Sequence, residues 1–154
     1  MIIQIIVVGK IKNNFIKEGV EEYIKRIKPY SEIEIINVPN FTNFPPPYAL
    51  LREEEFIKKF IKDSSFYIAL DTKGIFLTSE DLANKVKEFL EISKNFKLSF
   101  IIGGIFGLSE NIKKNAKLII SLSPLTFTHE FALLILLEQI YRSFKIIRNE
   151  PYHY

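Results

Sequence analysis

The chain has 154 residues, 47% of them apolar, which suits one ordinary domain with a substantial core. It contains no cysteine, so disulfides, thiolate metal ligands and Cys nucleophiles are excluded and a reducing, cytoplasmic setting is expected. The net charge of +3 comes without a Lys/Arg block or basic tail, so it permits a nucleic-acid partner without demanding one.

The first segment, Ile2–Val8, is an apolar run far shorter than the roughly 20 residues needed to span a bilayer, and it lacks the flanks of a signal peptide. It reads as a buried strand, and no membrane association is expected. Residues 14–28 place Phe15, Val20, Tyr23, Ile24 and Ile27 at helical spacing, and residues 33–38 form a second β-branched run. Phe44 and three prolines then end a loop before a helix over residues 49–62. A third strand is expected at residues 66–70, a helix at Ser79–Ile92 with Leu82, Val86, Phe89 and Leu90 on one face, and strands at residues 98–102 and 118–122. Strands alternating with helices imply one α/β domain over residues 1–154, with a mainly parallel sheet and helices on both faces.

Three features combine residues suited to chemistry, and in open α/β sheets ligands bind outside the carboxyl ends of the strands. The first is Ile102-Gly103-Gly104-Ile105-Phe106-Gly107-Leu108-Ser109, where a strand enters a glycine turn and Ser109 can cap a helix. It is neither a dinucleotide fingerprint nor a P-loop, and it reads equally as a ligand cradle or as a tight connection. The second is Leu122-Ser123-Pro124-Leu125-Thr126-Phe127, followed by Thr128 as the expected cap of a long helix. Its apolar walls and backbone donors suit an adenine ring and ribose, although many such loops only connect.

The third feature is the C-terminal helix and tail. Leu133, Leu136, Leu137, Ile140, Phe144 and Ile147 form one stripe, and the run from Phe131 to Leu137 is apolar on nearly every side. That excess suggests a homodimer interface in addition to internal packing. Tyr141, Lys145 and Arg148, with Arg142 nearby, make either a cationic aromatic surface for RNA or a solvated face in which Glu138 and Arg142 pair. Pro151-Tyr152-His153-Tyr154 brings a histidine suited to proton transfer and tyrosines able to stack on bases. No metal-ligand cluster is apparent, so no metal is expected.

Taken in order, Val8-Gly9-Lys10, Ala69-Leu70-Asp71, Lys73-Gly74, Ile102-Gly103-Gly104, Gly107-Leu108, Leu122-Ser123, Leu125-Thr126-Phe127, His129, Glu138-Gln139, Tyr141-Arg142 and Pro151-Tyr152-His153 resemble the ribosomal RNA large subunit methyltransferase H family, a single-domain branch of the SPOUT methyltransferases. The resemblance implies a C-terminal trefoil knot, a homodimer, and S-adenosyl-L-methionine as methyl donor. It implies methylation at N3 of a pseudouridine in 23S rRNA on the assembled ribosome.

The family's cofactor positions carry over to Leu70, Gly103, Leu122, Ser123, Pro124, Leu125, Thr126 and Phe127. For catalysis the resemblance points to the tail: His153 assists proton removal, while Tyr152 and Arg142 position the base and its phosphate. His129, at a helix start, is assigned instead to holding the cofactor loop through hydrogen bonds. The chain departs from the family at Thr128, at Ile105-Phe106 and at Tyr154. A response-regulator-type module would need clustered acidic residues at strand ends, and here Asp71 stands alone after its strand. An RNA-gripping protein without activity would have no need of the glycine turn.

Overall fold

The sheet is organised around β1, Ile2–Val8, whose side chains are buried on both sides. Ile3, Ile5 and Val7 point into one core and Ile6 and Val8 into another, as the two-residue period of a strand requires. The computed structural model describes residues 1–62 and 66–152. In chain order it contains β1, α1 (Asn14–Ile27), β2 (Glu32–Val38), α2 (Pro46–Ile61), β3 (Tyr67–Phe76), α3 (Ser79–Ile92), β4 (Lys97–Ile102), α4 (Glu110–Lys114), β5 (Leu118–Ser121) and α5 (His129–Ile147). All pairings are parallel, in the order β2-β1-β4-β3-β5. Helices α1, α3 and α5 cover one face of the sheet, and α2 and α4 the other.

The helix starts follow from their capping residues. The Thr78 hydroxyl accepts the Asp81 N–H at 3.0 Å, Ser109 accepts that of Ile112 at 3.2 Å, and Thr128 accepts that of Phe131 at 3.3 Å. The expected start of α2 at residue 49 moves back to Pro46. Proline in a first helical turn costs nothing, because its missing N–H would be unpaired there anyway.

The larger difference is β3, which continues beyond Leu70 to Phe76. Its pairing with β5 breaks after Leu70 and resumes at Ile75, so the intervening residues bulge out of the ladder. Gly74 makes the return possible: a Cβ there would lie 2.6 Å from the Ile120 carbonyl carbon. On α5, Leu133, Leu136, Leu137, Ile140 and Phe144 are all buried, each contributing roughly 1.5–3 kcal/mol.

Candidate functional site

The carboxyl ends of β1, β4, β3 and β5 meet the start of α5 around a cleft of about 870 Å³. That volume lies within the usual range for small-ligand sites.

One wall is the turn after β4. Gly107 donates its N–H to the Gly104 carbonyl at 3.0 Å, which folds the loop onto itself. A Cβ on Gly103 would sit 2.4 Å from the Gly107 carbonyl oxygen, so only hydrogen fits at this crossing. The facing wall is the loop after β5. There Ser121 donates to the Ser123 carbonyl at 2.9 Å, and the Ser123 hydroxyl accepts the Leu125 N–H at 3.0 Å. Leu122, Ser123, Leu125, Thr126 and Phe127 line the cleft, and Leu70 and Ile102 reach it from the middle strands. Pro124 is exposed and outside this lining, because the Ser123–Leu125 bond makes it the apex of the turn.

The start of α5 closes the cleft. His129 Nε2 lies 2.7 Å from the Lys10 carbonyl oxygen, which only accepts, so that nitrogen carries the proton. Its ring stands 3.0 Å from where a Gly9 side chain would begin, and Gly9 has φ +104°, so glycine is required there twice over. The buried Glu130 carboxylate accepts the backbone N–H groups of Asn13 at 2.9 Å and Lys12 at 2.7 Å, and the Asn13 side-chain amide at 3.0 Å. The Asn13 bond foremost, with that of Lys12, holds its pKa below the ordinary carboxylate value against the opposing effect of burial.

A lowered folded pKa contributes stability above the unfolded value and loses it as pH falls through the folded one. Glu130→Gln is therefore expected to lower unfolding free energy by about 1–3 kcal/mol near neutral pH. The deficit should shrink as the pH falls through the lowered folded pKa and the wild-type carboxylate protonates. Urea unfolding from pH 7 to pH 3 checks this, and an equal deficit at both ends would remove Glu130 from the pH response.

The residues predicted for catalysis gather elsewhere. Tyr152 donates its hydroxyl to Glu138 Oε1 at 2.9 Å, and Arg142 reaches the same oxygen at 2.5 Å. The Arg142 guanidinium lies 4.2 Å over the Tyr152 ring, which meets Tyr141 edge-on at 5.2 Å. Tyr30 and Lys145 both donate to Glu150 Oε2, at 2.6 Å and 3.0 Å, and fasten the tail to the loop after α1 and to α5. Arg148 lies 4.9 Å over the Tyr30 ring, so the cationic aromatic surface and the Glu138–Arg142 pair are both present. His153 lies outside the described residues.

Arg142 follows His129 by 13 positions on one helix, which separates the tail cluster from the cleft of its own chain by about 20 Å. Asn40 and Thr42 after β2, and Asp71 and Thr72 in the β3 bulge, also line the cleft. Asp71 stands in the Ala69-Leu70-Asp71 motif at a strand end, whereas nothing in composition or spacing marks Asn40, Thr42 or Thr72, which the tertiary pairing of strands brings there. Among the described residues no group of three His, Asp or Glu side chains converges as metal ligands, and no helix is long and apolar enough to cross a membrane.

Residues 1–153 match the family described as "Predicted SPOUT methyltransferase". The chain is 54% identical to ribosomal RNA large subunit methyltransferase H of Dictyoglomus thermophilum over 100% of both chains. It is 45% identical to the protein of the same name from Alkaliphilus oremlandii over 99% of each. Among solved structures it resembles a probable methyltransferase from Bordetella pertussis, with TM-score 0.59, 13% identity and coverage of 92% of this chain and 93% of that one. At that identity the likeness concerns the fold, and the fold agrees with the five-stranded parallel sheet described above. With a cleft at the strand ends, a glycine crossing that admits no side chain, and relatives matched end to end, the chain belongs to the SPOUT methyltransferases, in the ribosomal RNA large subunit methyltransferase H family.

Proposed function

We propose that the protein is an S-adenosyl-L-methionine-dependent enzyme that methylates N3 of a pseudouridine in 23S rRNA on the assembled ribosome, working in the cytoplasm as a homodimer. The cleft at the strand ends carries this reading. Its apolar residues Leu70, Ile102, Leu122, Leu125 and Phe127 suit a purine, and the Gly103–Gly107 crossing brings bare backbone up to a ligand. The trefoil knot of the family belongs to the same reading, with the loops after β4 and β5 as its donor-binding parts.

When bound, the cofactor supplies a methyl group already activated on a sulfonium. The protein then has to orient the acceptor and free the lone pair of its imide nitrogen, whose proton leaves only well above neutral pH. His153 is assigned the proton, Arg142 the phosphate, and Tyr152 the base by stacking. The separation of about 20 Å between cleft and tail, along one helix, is bridged by a second copy whose tail meets the first copy's cleft. Exposed apolar side chains beside the cleft and at the start of α5, Ile105 (82%), Leu125 (70%) and Phe131 (43%), favour such a partner.

Calorimetry should detect one S-adenosyl-L-methionine per chain; a folded dimer without binding would sink the enzyme reading. Methyl transfer should be found on whole ribosomes, not on separated subunits or naked rRNA, with N3-methylpseudouridine as the product nucleoside. Equal transfer to naked rRNA would remove the requirement for assembly.

A further inference from the structure

The sheet face opposite α5 carries a row of rings that neither the cleft nor the tail uses. Phe41, in the loop before α2, stacks on Phe56 with centroids 5.8 Å apart and meets Phe44 at 6.4 Å; Phe44 in turn packs on Tyr48 at 4.9 Å. Phe44 and Tyr48 are each 47% exposed, far more than rings recruited to a core. Cations sit over the same rings: the Arg52 guanidinium is 5.4 Å from Phe41, and the Lys59 ammonium 4.6 Å from Phe56.

The local charge is slightly basic. Lys58 pairs with Glu54 at 3.0 Å and Arg52 with Glu55 at 2.7 Å, while the buried Glu53 accepts the Phe41 N–H at 3.0 Å. Lys59, over the Phe56 ring, and Lys62, after the helix, are exposed in addition to those pairs, so the surface favours an anionic partner. The row also begins at the lip of the cleft, since Asn40 and Thr42, on either side of Phe41, both line it. Helix α5 packs on the other face of the sheet, so a second copy seated on it as proposed would leave these rings open.

We infer that the loop before α2 and the outer face of α2 form a stacking platform for unpaired nucleotides of the RNA substrate that flank the one in the cleft. Rings with cations between them suit this partner, because every base has a face to stack and every nucleotide a phosphate to neutralise. The inference rests on the reading of the protein as an RNA methyltransferase.

The test uses the full-length protein with Phe44→Ser and Tyr48→Ser combined, assayed for methyl transfer to whole ribosomes. Both side chains are half-exposed, so melting temperature and S-adenosyl-L-methionine affinity should stay at wild-type values. KM for the ribosome should rise about tenfold or more, with kcat at saturation unchanged. Should the double variant fail to fold, Tyr48→Ser alone carries the test. Lys59→Gln should also reduce the slope of log affinity against log salt by about one. A folded variant with unchanged KM overturns the platform while leaving the activity standing. A wild-type protein that methylates no RNA overturns the activity and the platform with it. If the variant keeps its affinity for RNA but loses binding to RNA-free ribosomal protein, the face docks protein and the inference is wrong.

Discussion

Gly103→Ala is expected to lower turnover by about 100-fold and to weaken S-adenosyl-L-methionine binding, while α5 stays folded. The added Cβ would lie 2.4 Å from the Gly107 oxygen and 2.5 Å from its carbonyl carbon. Both atoms are backbone, so no side-chain rotation relieves the clash and residues 103–107 have to shift by about 1 Å, a displacement large enough to spoil near-attack geometry. Two other glycines separate this effect from simple loss of stability. Gly107→Ala meets no atom within 4 Å, and its cost is the left-handed backbone at φ +74°, about 1–2 kcal/mol. Gly74→Ala would drive a Cβ against the backbone of Ile120 and should lower the melting temperature. Calorimetry beside thermal melts distinguishes the three, and a Gly103→Ala protein that binds the cofactor normally would refute the cradle.

The contrast among these glycines shows what was legible in the chain and what was not. The turn after β4 was visible because glycine and a Ser cap follow a β-branched run, yet its reason, one backbone segment crossing another, exists only once Gly103 and Gly107 meet. Apart from the start of α2 and the length of β3, the strands and long helices were legible to within a residue or so, because their period and caps are local properties. The continuation of β3 was not: residues 71–74 carry an Asp, a Thr, a Lys and a Gly, which read as a turn, and pairing of Ile75 with Ile120 overrides that local preference. Of the cleft, the loops after β4 and β5 were marked by their own composition. Asn40 and Thr42 were not, since parallel pairing of β1 with β2 brings their loop alongside. Pro124 was grouped with its neighbours by sequence, and in the structure it stands exposed under the Ser123–Leu125 hydrogen bond, outside the lining of the cleft.

The separation of cleft and tail leads to the second large effect. His153→Phe is expected to reduce kcat by about 100-fold or more with S-adenosyl-L-methionine affinity unchanged, the size of effect usual for losing a general base. In the proposed homodimer, either His153→Phe or Gly103→Ala leaves two defective sites. If each site joins one copy's cleft to the other copy's tail, a mixed dimer places the intact cleft of the His153→Phe chain against the intact tail of the Gly103→Ala chain. One of its two sites is then restored. Random reassortment of equal amounts should recover about a quarter of wild-type activity, since half the dimers are mixed and each has one working site. If each site lay within one chain, every site in the mixture would carry one lesion and no activity would return. Size-exclusion chromatography confirms that both variants remain dimers before mixing. Activity that stayed at the level of the separate variants would place the tail in its own chain's site, against the distance of 13 helical residues between His129 and Arg142.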